Sequence, residues 1–181
     1  MAVPHVAIVG RPNVGKSSLF NWLAGRRIAI VDPTPGVTRD RITAPIHAGD
    51  RYFELTDTGG MGIEDIDKLT SDVERQIALA IDRADLLLFL VDARSGPAPL
   101  DEEVAQRLRA VNKPVLLVAN KCDTPRFEEQ IGEFYKFGFG DVHCVSAKEN
   151  RGKDRLLELI LKRLPRTADA FDAPPGKEET L

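Results

Sequence analysis

The stretch from Gly10 to Ser17 reads GRPNVGKS and has the form G-x-x-x-x-G-K-[ST]. Average residue frequencies give an accidental match in a chain of this length on the order of once in 100 to 200 cases. The short apolar run from His5 to Val9 stops at Gly10, and a helix is expected from Ser17 to Ala24, with Gly25 as its stop. The pattern thus lies between a strand and a helix, where a phosphate cradle belongs. Gly10 and Gly15 let the backbone wrap an anion with no Cβ in the way. Arg11, Pro12, Asn13 and Val14 form the wall of that loop. Ser18 belongs to the helix start, whose N–H groups present partial positive charge. Lys16 is placed to reach β- and γ-phosphates, and the Ser17 hydroxyl to ligate Mg²⁺.

Beyond this loop, apolar runs alternate with amphipathic stretches, the pattern of a parallel sheet flanked by helices. Arg26 to Arg41 has no clean periodicity and contains Pro33, Pro35 and Gly36, so it reads as a loop. Ile42 to His47 and Arg51 to Thr56 flank an Ala-Gly-Asp turn and read as an antiparallel hairpin. Val73, Ile77, Ala80, Ile81 and Ala84 share one helical face. Leu86 to Val91 and Val115 to Ala119 are continuous apolar runs, as central strands buried on both faces require. Val104, Leu108 and Val111 mark a helix between them. A helix near Glu128 to Lys136, a strand at Val142 to Val145 and a last helix at Lys153 to Leu164 follow. The expected fold is α/β, a P-loop NTPase sheet that is mostly parallel with one antiparallel hairpin strand and helices on both faces. Residues 1–165 make one domain, and 166–181 an acidic, Pro- and Gly-containing tail or linker.

The phosphate loop alone does not separate kinase, ATPase and GTPase. NKCD, Asn120 to Asp123, ends the apolar run that precedes it. Ligands of open α/β sheets bind at such carboxyl ends. The Asp123 carboxylate offers two acceptors to the N1–H and 2-amino donors of guanine, whereas adenine would leave it unpaired. A site built around such donors rejects the analogue lacking them by roughly 10⁴ or more. The Lys121 stem covers a face of the base, and Asn120 holds the loop and meets the base edge. In VSAKEN, Ser146, Ala147 and Lys148 complete the set, with the Ala147 N–H aimed at guanine O6.

DTGG, Asp57 to Gly60, ends the second hairpin strand. Asp57 is expected to hold a water on Mg²⁺, and the Gly60 N–H to touch the γ-phosphate. Thr38, in GVTRD, is a metal ligand only while that phosphate is present. Its loss releases both loops, an order–disorder switch.

The set GRPNVGKS, TPGVTRD, DTGG, NKCD and SAK resembles the Der/EngA GTPases of the TrmE–Era–EngA group. VAIVGRPNVGKSSLFN followed by PTPGVTRDR is similar to the first of that family's two tandem G domains. The resemblance spans roughly residues 3 to 165 and implies a cytoplasmic GTPase acting in assembly of the large ribosomal subunit or on its rRNA. It also implies a second G domain and a KH-like domain outside this chain, which is then a fragment whose segment from Thr167 starts a linker. Met61 stands where small regulatory GTPases carry a water-orienting Gln. Met61 cannot hydrogen-bond a water, so hydrolysis must be oriented otherwise, and the resemblance implies that an apolar residue there is a feature of the family. Members with Asn at the position of Asn13 resemble potassium-activated enzymes. The Asn13 side-chain oxygen and backbone carbonyls from Pro35 to Val37 would then cage K⁺ against the α- and γ-phosphates. The residues expected to carry catalysis are Lys16, Thr38, Gly60 and Asn13.

Other classes recede. A net charge of −3 over 181 residues, with scattered Lys and Arg, shows no basic stripe for nucleic acid or membrane. No apolar run approaches the ~20 residues of a membrane span, and the N-terminus has no signal-peptide pattern. Cys122 and Cys144 lack metal or disulfide-framework spacing and are expected to be reduced apolar residues. His5, His47 and His143 are isolated, and Trp22 is expected in the core. The competing reading is a module whose GTP state docks a partner with negligible turnover. A small-molecule kinase or ATPase is disfavoured by NKCD.

Overall fold

The computed structural model describes residues 3–25, 30–32, 41–58, 74–75, 78 and 80–165. In chain order the elements are β1 (His5–Val9), α1 (Lys16–Ala24), β2 (Ile30–Asp32), β3 (Arg41–Ala48), β4 (Arg51–Asp57), β5 (Leu86–Asp92), α2 (Pro99–Arg109), β6 (Val115–Asn120), α3 (Pro125–Glu128), a 3₁₀ helix (Ile131–Phe137), β7 (Val142–Cys144) and α4 (Lys153–Arg163). Residues 80–83 are also helical, and Ala80 and Ala84 are buried there. Val73 and Ile77 lie outside the described residues.

Seven strands form one sheet in the order β2-β3-β4-β1-β5-β6-β7. β1 pairs in parallel with β4 and β5, and β5-β6 and β6-β7 are parallel too. β3 alone runs against its neighbours, paired antiparallel with β2 and β4. Every residue of β5 is buried because helices cover both faces. Alternation then assigns each side chain its partner. Leu86, Leu88 and Leu90 pack with Leu19, Phe20 and Leu23 of α1 and Leu156 and Ile160 of α4. Leu87, Phe89 and Val91 pack on the other face with Val104, Ala105 and Leu108 of α2 and with Phe134 and Phe137.

Two expectations needed correction. Residues 30–32, read as loop, form edge strand β2, with Val31 opposite Ile42. Three residues carry no period of their own, so only the ladder to a later segment defines the strand. The helix expected over Glu128 to Lys136 is a one-turn α3 followed by a 3₁₀ helix. Gly132 lies inside that segment and Gly138, at φ 82°, ends it. A glycine inside a short segment weakens α-helical continuation, while the tighter turn still buries Phe134 and Phe137.

Candidate functional site

The strand order brings the carboxyl ends of β1, β4, β5, β6 and β7 to one edge, so the loops that follow them converge. The loop from Gly10 to Gly15 crosses that edge closely. A Cβ on Gly10 would lie 2.6 Å from the Leu90 carbonyl oxygen. Gly15, at φ 96°, caps α1 in the left-handed region, and a Cβ there would lie 2.4 Å from Asn120 Nδ2. Gly10 therefore answers to space, and Gly15 to space as well as to conformation. Asn13 also lies in the left-handed region, at φ 68°, which asparagine tolerates.

Lys16 is 7% exposed, and its ammonium donates to the carbonyls of Gly10 (2.7 Å) and Arg11 (2.9 Å). Burial lowers its pKa to about 8, against the attraction of Asp57 and with the help of Arg11. A buried ammonium held by loop carbonyls is poised for a stronger anionic partner. Ser17 donates its hydroxyl to Asp57 Oδ2 at 3.0 Å, and Asp57 is 1% exposed. Thr58 anchors that segment by donating to the Ile8 carbonyl at 2.6 Å. Thr38, Gly60, Met61 and Pro35 to Val37 lie outside the described residues.

Asn120 is the joint of the site. Its Nδ2 donates to the Val14 carbonyl at 3.3 Å, and its Oδ1 accepts the Ala147 N–H at 3.3 Å. One buried side chain thereby ties the phosphate loop to the loop after β7. Lys121, at φ 66°, lies across the phosphate loop, donating to the Asn13 carbonyl (2.8 Å) and to Asp92 Oδ2 (2.9 Å). A left-handed conformation costs a lysine roughly 1–2 kcal/mol, and strain of that kind gathers at functional sites. Ser146 is fully buried and donates to Asp123 Oδ1 at 2.6 Å, while the Glu149 N–H donates to Ser146 Oγ at 3.0 Å. Ser146 thus orients the carboxylate of Asp123. Lys148 is exposed and Ala147 half-buried.

The Arg11 guanidinium points away from the loop, to Asp101 Oδ2 (3.2 Å) and Ser95 Oγ (2.8 Å), leaving its backbone on the phosphate side. Asp101 is fully buried at the start of α2 and accepts the Ala98 N–H at 2.8 Å. Burial drives its pKa up, opposed by that N–H and by Arg11. Asp92 is held below the carboxylate range despite the burial that would raise it, by Lys121 and the N–H groups of Arg94 and Ser95. Sequence reasoning missed Asp92, Ser95 and Asp101. An acid closing the run LLLFLV was the available signal for Asp92, and nothing in the spacing marked the other two. His5 lies on β1 with Nδ1 3.2 Å from Glu54, the His47 ring meets Tyr52 at a 44° tilt, and His143 lies on β7. Trp22 packs against the core and donates to Asn150 Oδ1 at 2.9 Å.

A strand–loop–helix phosphate cradle joined through Asn120 to an Asn-Lys-x-Asp loop on the same sheet edge belongs to one class, the guanine-nucleotide-binding P-loop domains. This chain is a domain of that GTPase class. The model of the 50S ribosome-binding GTPase family matches residues 5–121, and the chain belongs to that family. It is similar to GTPase Der of Rhodopirellula baltica, 57% identical over 174 residues, covering 96% of this chain and 38% of that protein. GTPase Der of Geotalea daltonii is 51% identical over 170 residues, covering 93% and 38%. The chain therefore spans little more than a third of the length of these relatives. An Aquifex aeolicus Era variant bound to GDP and AlF₄⁻ superposes with a TM-score of 0.74 at 34% identity, covering 92% of this chain and 58% of that one. Era in complex with MgGDPNP and a 16S ribosomal RNA segment gives 0.72 at 32% identity, over 92% and 58%. No helix among the described residues is long and apolar enough to cross a membrane.

Proposed function

We propose that this domain binds GTP and GDP with Mg²⁺, hydrolyses GTP, and serves as the first G domain of a larger cytoplasmic GTPase of ribosome assembly. The observation that carries the reading is the pair of hydrogen bonds from Asn120 to Val14 and Ala147, which holds phosphate loop and base-reading loop in one register. The Era complexes bind guanine nucleotides, and one holds ribosomal RNA. These likenesses support a guanine nucleotide and a ribosomal partner here, with a second G domain and a KH-like domain in the remaining length. On this reading Asp123 accepts from guanine, Lys121 covers the base, and the Ala147 N–H exchanges Asn120 for O6. Lys16 leaves its loop carbonyls for the β- and γ-phosphates.

Ser17 and Asp57 are hard oxygen donors, and the buried carboxylate already meets the hydroxyl, a donor set that fits Mg²⁺. The bound ion supplies neutralisation of charge on the phosphates. Thr38 and Gly60 are assigned to sense the γ-phosphate. Titration of the 181-residue chain with GDP, GTP, ATP and a non-hydrolysable GTP analogue, with and without Mg²⁺, tests the whole reading. Tight guanine binding without ATP competition is expected, and equal ATP affinity overturns it.

Ser17→Ala should lose Mg²⁺-dependent tightening of nucleotide by roughly 10–100-fold, the scale of losses around metal sites. In chelator the variant and the unmutated domain should bind alike. An equal loss with and without Mg²⁺ would remove Ser17 from the metal.

Hydrolysis without a water-orienting Gln calls for another charge at the transferred phosphoryl group. Asn13 is exposed at the crest of the phosphate loop and is assigned to a K⁺ site beside it. K⁺ should speed hydrolysis roughly tenfold or more over Na⁺ at equal ionic strength, as a cationic group at the phosphates does. Asn13→Ala should erase the difference and leave GDP binding nearly intact. Equal rates in the two salts for the unmutated domain defeat the assignment.

A further inference from the structure

Cys122 and Cys144, unrelated by spacing, meet across the β6-β7 edge. Ala119 is the ladder partner of Cys144. The Cys122 N–H donates to the Val145 carbonyl at 3.0 Å, so the turn after β6 folds Cys122 back against the end of β7. Both side chains pack in one apolar cluster with Ala119 and Val142. Cys122 is buried and Cys144 half-buried, and Cys144 lines a cavity of about 300 Å³ with Glu128, His143 and Arg155. That is room for a small oxidant beside Cys144, and Cys122 is not among the residues lining it. The Cys122 thiol donates to the Ala119 carbonyl at 3.5 Å, and the nearness of the two thiols pushes Cys122 up and Cys144 down. Arg151 also favours the Cys144 thiolate, against burial and Glu128. A half-buried cysteine beside a second, buried cysteine is the arrangement of a redox-responsive pair.

We propose that Cys144 and Cys122 form an oxidisable pair that hydrogen peroxide closes into an intrachain disulfide, disabling the loop that reads the base. The Cys144 thiolate attacks one peroxide oxygen; an S–O bond forms, the O–O bond breaks, and the departing hydroxide takes up a proton to become water. The Cys122 sulfur then attacks the sulfur of the Cys144 sulfenic acid. The S–S bond forms as S–O breaks, and the second hydroxide leaves as water with the Cys122 proton. Two thiols lose two electrons and peroxide gains them.

The consequence for binding rests on the guanine-nucleotide reading above. Cys122 stands between Lys121 and Asp123, with its carbonyl held by Arg151 at 3.2 Å. Disulfide geometry limits the Cα separation and the side-chain dihedral, so closure pulls that residue toward β7. Asp123 and the left-handed Lys121 move with it.

The test treats the full chain with hydrogen peroxide under native conditions, blocks remaining thiols, and reads the digest by mass together with GDP affinity. A cross-linked Cys122–Cys144 peptide two hydrogens lighter than its parts is expected. GDP affinity should fall by roughly tenfold, the cost of one misaligned polar contact, and return with dithiothreitol. Cys144→Ser should bind GDP as the reduced chain does and ignore peroxide. Cys122→Ala should trap the Cys144 sulfenic acid for labelling by dimedone. A chain that stays uncross-linked and unlabelled overturns the proposal, as does a cross-linked chain with unchanged GDP affinity. If the reduced chain binds no guanine nucleotide, the functional reading fails, while the mass and dimedone readouts still decide the chemistry.

Discussion

Asp123→Asn converts the domain from a guanine-preferring to a xanthine-preferring nucleotide binder. The Asp123 carboxylate is held in place by the Ser146 hydroxyl, 2.6 Å from Oδ1. An asparagine keeps an oxygen to accept that bond, so the loop geometry survives the change. What is lost is the second acceptor, replaced by an amide donor. The 2-amino group of guanine then meets a donor, whereas the 2-oxo group of xanthine meets the partner it needs. Sites built on such buried pairs discriminate by roughly 10⁴ or more, so the preference should invert outright. Competition binding with GTP, ATP and XTP reads the change. Retained preference for GTP over XTP would place Asp123 outside the base site.

Lys16→Ala should abolish nearly all phosphate affinity. In the structure the ammonium is 7% exposed and rests on two loop carbonyls. Phosphate oxygens offer it charge-assisted contacts worth roughly 1.5–3 kcal/mol each, so losing two costs on the order of 10²- to 10⁴-fold in GDP binding. The depressed pKa of about 8 gives this prediction a pH signature. Below pH 8 the charged form is present and affinity is flat; above it, the ratio of unmutated to variant affinity should fall by up to about tenfold per pH unit. Taking the ratio cancels ionisation of the base, common to both proteins. Stability of the ligand-free domain runs the other way. Between pH 8 and the ordinary lysine value of 10.5 the unfolded chain keeps a proton that the folded one has released, so stability rises with pH there. Isothermal titration and thermal melts across pH 7 to 10 check both slopes. A constant affinity ratio would show that Lys16 does not meet the phosphates as a buried cation.

Much of the molecule was legible along the chain because its signals are local. The run from His5 to Val9 became β1 at those bounds, and the seven buried residues of β5 contain the apolar run LLLFLV. Gly10 and Gly15 stood out because a phosphate loop needs backbone without a Cβ, and the structure adds that Leu90 and Asn120 would obstruct one. Leu156, Ile160 and Leu164 form the buried row expected of the last helix. The short edge strand β2 had no period to read, and the segment after α3 hid a 3₁₀ helix behind a helical pattern.

The residue types of GRPNVGKS, NKCD, DTGG and SAK by themselves determined the class of ligand, because donors, acceptors and glycine freedom are properties of single residues and near neighbours. Which side chain holds which came from the folded chain alone. Arg11 turned from the phosphate loop to Asp101, Lys121 spans to Asp92, Ser146 serves Asp123, and Cys122 folds against Cys144. Each partnership joins residues on different strands or loops, and their meeting depends on the sheet order β1-β5-β6-β7 and on ladder register, such as Ala119 opposite Cys144. Register is set by burying both faces of the sheet at once, a condition on the whole core that no short stretch of sequence contains.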